Sequence, residues 1–218
     1  MIVFVHVPKT GGTTVGKLLW SCSHRGLGQC EGIPGHKLLD SARRCDWLGG
    51  HLQREIFATS LNSLDRPIEY FATIREPISQ IISFVNWQFE LYNRGPIFFL
   101  EQPRFLQLMS AEIRATDFSK TSSVIALLLR YGFLNFQARM ILGDDFATIP
   151  DSEAARRVAA YTFIATKEKL TALYPAFGFA QLPKEINELR ENAAQKYYFD
   201  TTVFQSQEIL DFLAQHHS

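Results

Sequence analysis

Cysteine is scarce in this chain, and the three that occur, Cys22, Cys30 and Cys45, form an odd set with no Cys-x-x-Cys pair. That argues against a disulfide framework and against a zinc site built from paired thiolates. Net charge is lacking as well: 22 Lys and Arg offset 22 Asp and Glu. No overall basic field exists to draw in nucleic acid or a polyanion, so any attraction for anions has to be local. No apolar run reaches membrane-spanning length, and the first strand-like run begins at Ile2, which leads to the expectation of no signal or transit segment. The expectation is a cytoplasmic protein in a reducing compartment, without an integral membrane segment. Repeats, low-complexity tracts and linkers are also missing. The 218 residues read as one domain, 1–218, large enough to bury a substantial core, with the 18 phenylalanines serving packing more than chemistry.

What is present begins at once. The β-branched and aromatic run Ile2-Val3-Phe4-Val5-His6-Val7 reads as a buried strand, and helical spacing returns at Val15, Leu18 and Leu19. Between them lies Pro8-Lys9-Thr10-Gly11-Gly12-Thr13-Thr14. Glycines let backbone approach an anion closely, and the free amides and dipole of a helix's first turn point at bound oxygens. Thr10, Thr13 and Thr14 add hydroxyls and Lys9 a mobile positive charge. A triphosphate-binding Walker loop carries its lysine after the second glycine; here Lys9 precedes both.

A second strand ends at Tyr70-Phe71-Ala72-Thr73-Ile74-Arg75, with Pro77 suited to open a helix and Ser83 about two turns along it. These two segments together resemble the sulfotransferases that use 3′-phosphoadenosine 5′-phosphosulfate (PAPS). The resemblance implies that Lys9, Thr10, Gly11, Gly12, Thr13 and Thr14 cradle the 5′-phosphosulfate and that Arg75 and Ser83 grip the 3′-phosphate. Asn135-Phe136-Gln137-Ala138-Arg139-Met140-Ile141-Leu142-Gly143 is similar to a signature of the carbohydrate-type branch, which includes the uronyl 2-O-sulfotransferases. Phe163 to Glu168 and Arg190 to Lys196 resemble later segments of that branch.

Asp46 to His51 reads as a short strand ending in a histidine, followed by a brief helix over Leu52 to Thr59. Ligands of open parallel sheets gather beyond the carboxyl ends of the strands, so His51 falls on the same rim as Lys9 and Arg75. The Gly50-His51 pair also resembles the place where the 2-O-sulfotransferase branch holds its base, and an imidazole ordinarily titrates close enough to neutrality for that work. Glu55, one helical turn on, is the competing base, and a purely structural His51 is the alternative to both.

Elsewhere, Cys22 to Asp40 is rich in glycine and reads as an irregular loop. Ile78 to Asn93 reads as a long helix with Ile81, Ile82, Val85, Phe89 and Tyr92 on or near its buried face; Ile97 to Ser119 as short helices and loops suited to acceptor recognition. Ser122 to Tyr131, Asn135 to Gly143 and Asp151 to Ala160 read as further helices, the last capped by Asp151 or Ser152. Tyr161 to Ala165 reads as a strand, Lys167 to Tyr174 as a helix and Thr201 to Gln215 as a closing amphipathic helix.

This alternation predicts a three-layer α/β fold with a mainly parallel sheet, P-loop-like in the sense the resemblance implies. The expected function is metal-free sulfuryl transfer from PAPS to an acceptor hydroxyl, on a glycan or other small molecule. Lys9 would act at the leaving phosphate oxygen and His51 as base, with Arg139, Arg190 and Lys196 as further candidates for anion binding. Two alternatives remain open on the residues alone: a nucleotide-dependent small-molecule kinase, and a non-catalytic binder of a sulfated or phosphorylated ligand.

Overall fold

Short runs of β-branched, aromatic and small residues set the strands, and a helix follows each of the first four, the kind of crossover that parallel pairing needs. A computed structural model describes residues 1–166, 169–170, 175–177 and 197–216. The chain runs β1 (Ile2–Val5), α1 (Gly12–Cys22), β2 (Gly26–Leu27), α2 (Gly35–Ala42), β3 (Trp47–Gly50), α3 (Arg54–Ser60) and β4 (Glu69–Ile74). Four helices follow: α4 (Pro77–Asn93), α5 (Pro96–Leu100), α6 (Arg104–Ala115) and α7 (Thr121–Arg130). Then come α8 (Phe136–Leu142), α9 (Asp151–Ala159), β5 (Phe163–Thr166) and, after a 3-10 turn at Thr201–Gln205, α10 (Gln207–His216). These elements divide into two compact units, Met1–Arg75 with Gln137–Glu191 and Glu76–Phe136 with Asn192–Ser218.

The first unit holds a five-stranded, all-parallel sheet in the order β2-β3-β1-β4-β5. Register places Phe4, Phe71 and Phe163 on one face. There Phe4, Trp47, Phe71 and Ala165 pack against Val15, Leu18 and Leu19 of α1 in one buried cluster. Each large apolar side chain so buried contributes about 1.5–3 kcal/mol. The other face presents Val3, Val5, Leu48 and Ala72, all fully buried, and Tyr70. Arg54 of α3 lies over the Tyr70 ring at 5.5 Å, so α3 covers this side. Chain leaving β1 turns toward β2 and chain leaving β4 toward β5, so the order reverses between two adjacent strands, the place where open sheets form a ligand crevice.

The segment expected to be an irregular loop, Cys22 to Asp40, instead carries β2 and most of α2. Gly26 acts there as a packing residue rather than a breaker, because a Cβ at that position would meet the Trp47 indole at 1.9 Å. Helix α2 starts after Pro34 and buries Leu38 and Ala42. The cap expected at Asp151 or Ser152 is Pro150, with Asp151 and Glu153 in the first turn of α9 near the positive end of its dipole. The predicted helix over Lys167 to Tyr174 lies for the most part outside the described residues.

In the second unit, Ile81 and Val85 of α4 pack with Ile113, Val124, Leu127, Leu128, Val203, Phe204, Ile209 and Leu213. The closing helix is shorter than expected: Thr201–Gln205 is a 3-10 turn, and Asp200 caps it by accepting from the Thr202 amide. The buried face of α4 also differs from its apolar pattern, since it contains Gln80, Asn86 and Gln88, whereas Tyr92 is exposed. Asn86 accepts from the Tyr198 amide at 3.0 Å and donates to Glu90 at 3.3 Å. Gln88 is fully buried, and neither polar atom of its side-chain amide has a partner among the described residues.

An orphaned buried amide costs about 1–3 kcal/mol, and an apolar group of similar shape removes that cost. Gln88→Met is therefore expected to raise stability by about 1 kcal/mol in urea unfolding. A lower unfolding midpoint would mean that the amide is hydrogen-bonded in solution.

Candidate active site

The loop residues Lys9 to Thr14, together with His51 and Arg75, lie beyond the carboxyl ends of β1 and its neighbours β3 and β4. The loop after the strand turns by placing Lys9 at φ 66° and Gly11 at φ 100°, both left-handed. Gly11 caps α1 without any side-chain hydrogen bond to the first turn, and that turn carries no acidic residue. The amides of a first turn so left are donors for an anion. Gly12 leaves room for the His6 ring, because a Cβ there would stand 1.7 Å from His6 Nε2 and the ring would have to shift. Thr13 is exposed and Thr14 half-buried at the start of the helix.

Thr10 has a different task from the one its motif implies. Its side chain is fully buried, and its hydroxyl donates to the Val7 carbonyl at 2.7 Å. That spends its one proton, so in the 2.7 Å contact between the Thr10 and Thr73 hydroxyls the donor is Thr73. Thr10 thus ties the loop to β4 and leaves only its backbone for a ligand.

Arg75 follows β4 and sits beside the loop, its guanidinium 3.5 Å from the Lys9 carbonyl oxygen. Gln137 of α8 holds it from behind: the Arg75 amide donates to Gln137 Oε1 at 2.8 Å, and Gln137 Nε2 donates to the Arg75 carbonyl at 2.7 Å. The planar side-chain amide pairs with the backbone as a neighbouring strand would. Ser83 lies half-buried in α4 of the second unit.

His51 closes the rim. Its backbone amide donates to Glu31 Oε2 at 2.8 Å, and its Nδ1 stands 2.7 Å from the His6 carbonyl oxygen. A carbonyl only accepts, so Nδ1 carries a proton, and in the neutral ring the lone pair is on Nε2. The exposed imidazole is therefore set up to take a proton. Its ring centroid lies 4.2 Å from that of His6. Burial, and then the charges of His51 and Lys9, push the His6 pKa down to about 3, so His6 is neutral near neutrality.

Glu55 lies elsewhere. Its carboxylate pairs with Arg54 at 3.2 Å. The pair adjoins Tyr70 and Tyr161, whose hydroxyl pKa values rise chiefly through burial, with Arg54 opposing the rise and Glu55 adding to it. Tyr70 is in register with Val3, three positions before His6, so this pair sits toward the amino ends of the strands and away from the rim. Arg139 is 3.8 Å from Asp144, which also accepts from Gln53. Arg190 and Lys196 lie outside the described residues. Among the described residues no group of three or more His, Cys, Asp or Glu could hold a metal ion, and no helix is long and apolar enough to cross a membrane.

Sequence reasoning missed His6, Thr73, Gln137 as a clasp, and Glu31. His6 and Thr73 carry a signal of a kind, since each is a polar residue at or near the end of an otherwise apolar strand.

Two measurements check this geometry. Gly12→Ala is expected to displace the His6 ring and cost about 1–3 kcal/mol, whereas Gly16→Ala, with nothing within 4 Å of its Cβ, is expected to gain up to about 1 kcal/mol of helix propensity. Equal urea midpoints for the two variants would contradict the contact. The His6 shift also has a sign: an unfolded histidine takes up its proton near 6.5 but folded His6 only near 3. Between those values the unfolded chain binds more protons, so stability falls as pH drops through the window, by at most about 1.4 kcal/mol per pH unit. His6→Phe is expected to remove that part of the acid slope; an unchanged slope would show that His6 titrates normally.

Compared with known proteins, the chain matches no family model and no curated protein, and the geometry above is what a functional reading has to stand on.

Proposed function

We propose that this rim transfers a sulfuryl group from PAPS to an acceptor hydroxyl, most naturally that of a carbohydrate. The observation that carries the reading is the pairing of an uncapped loop at a helix start with a histidine on the same rim whose Nδ1–H is tied to a carbonyl, which makes Nε2 the basic nitrogen of the neutral ring. A central parallel strand running into that loop and α1 supports the P-loop-like form of the fold. The residues present fit the donor's phosphates: no Cβ stands at Gly12, no acidic side chain is in the first turn, and two cationic side chains border the loop.

The donor supplies the sulfuryl group, an acceptor oxygen forming the new S–O bond as the bond to the phosphate oxygen breaks. Lys9 offsets the negative charge that gathers on the phosphate side, assisted by the amides of Gly12 and Thr13. Arg75, its backbone clasped by Gln137, binds the 3′-phosphate; the sequence pattern alone adds Ser83 to that phosphate. His51 Nε2 takes the acceptor hydroxyl's proton, and the Nδ1–H bond to the His6 carbonyl steadies the resulting imidazolium. The separation of Glu55 from the rim favours His51 over it as the base. Thr10 contributes through its backbone and by bracing the loop.

Calorimetry with PAP, AMP and ATP, together with transfer of labelled sulfate from PAPS to a panel of glycans, tests the reading. PAP is expected to bind more tightly than AMP, and Arg75→Ala to lose about tenfold or more for PAP while AMP is little changed, a charge-assisted hydrogen bond being worth about 1.5–3 kcal/mol. His51→Ala is expected to cut turnover by about 10²–10⁴ with PAP affinity kept. Equal affinity for PAP and AMP, or preference for ATP, would shift the reading to a nucleotide-dependent kinase.

A further inference from the structure

An exposed histidine on a strand end has two soft torsions, and a single hydrogen bond does not fix both. The bond from Nδ1 to the His6 carbonyl sets where His51 points but leaves its ring free to swing about the Nδ1···O direction. A second constraint is present. The Phe4 and His6 rings stack with centroids 5.3 Å apart and planes within 19°, and His6 meets His51 at 4.2 Å and 33°. Phe4 is rooted in the packed core with Val15, Leu18 and Phe71. The His6 ring is wedged sideways against Gly12, where a Cβ would force it to shift. Three rings thus run as a column from the core to the rim, and only the outermost is exposed.

We infer that the His6 ring is a positioning residue for His51: it transmits the rigidity of the core outward and holds the imidazole in the single plane in which Nε2 faces an incoming hydroxyl. This rests on the proposed role of His51 as base, but the positioning itself is a property of the folded chain and is measurable without turnover. The carbonyl and the ring of the same residue supply the two constraints, the first by hydrogen bonding and the second by stacking. Because His6 is held neutral, it adds no positive charge beneath His51 when that ring takes up a proton. Removing the ring leaves the carbonyl in place, so stacking and hydrogen bonding are separable by mutation.

The test is nitrogen NMR of the full chain labelled at histidine, in mildly alkaline buffer. The parent is expected to show His51 as a single Nδ1–H tautomer, the minor form of free histidine. In His6→Ala the His51 signals are expected to move toward the mixed tautomer pattern of a free ring, and turnover with PAPS to drop by about ten- to a hundredfold, as for a misplaced reacting group, while PAP affinity holds. His6→Phe, which keeps a flat ring, is expected to recover most of both losses. An Nε2–H tautomer in the parent overturns the inference and needs no variant that folds. So does an unchanged His51 tautomer in folded His6→Ala, or a His6→Phe no better than His6→Ala. Correct NMR behaviour with no sulfate transfer to any acceptor would leave the positioning intact and defeat the sulfotransferase reading alone.

Discussion

Parallel register around β1 is the constraint on which the rest depends. Val5 pairs at once with Gly50 of β3 and Ala72 of β4, so the residues that follow, His6, His51 and Thr73, emerge at one level. The His6 carbonyl then meets the His51 ring, and Thr10, coming back through the loop, meets Thr73. A slip of one residue in either pairing would send these side chains to opposite faces of the sheet. The rim is therefore built by the sheet rather than by the loops, although loops carry most of its residues.

The strands and the loop are legible in the sequence because burial on both faces demands continuous apolar runs and because paired glycines between a strand and a helix mark a tight turn. Lys9, Gly11, Gly12, His51 and Arg75 could be placed on one rim from strand ends alone. What could not be read is which polar atoms face one another. Thr10 looks like a ligand donor until its hydroxyl is seen to be spent on Val7. Glu55 lies one turn from His51 in sequence, yet its helix carries it back beside Tyr70. Helix α2 hides in a stretch whose glycines suggest an irregular loop, since nothing local announces that Trp47 will fill the space beside Gly26. On α4, buried Gln80, Asn86 and Gln88 interrupt the apolar face and shift its apparent centre.

The chain combines zero net charge with positive potential that is local to the rim. Lys9 and Arg75 approach through backbone geometry, the uncapped turn adds its dipole, and acidic side chains are kept out of it. Beneath them the bracing is neutral: two hydroxyls, one primary amide and an uncharged imidazole. Neutral braces hold their geometry as charge comes and goes above them, and they escape the desolvation cost that a buried ion would bring.

The clasp of Gln137 on Arg75 has a consequence for how the chain can vary. Between those two residues the polypeptide departs through α4 to α7 and returns, and the side-chain amide fastens departure and return at one point on both the N–H and the C=O of Arg75. The long excursion is closed at its base like a drawstring. Loop-closure entropy grows only slowly with length, so residues gained or lost in the excursion weigh little on a closure already made. Such a chain can change the length of the loops within the excursion while the end of β4 stays where the sheet puts it.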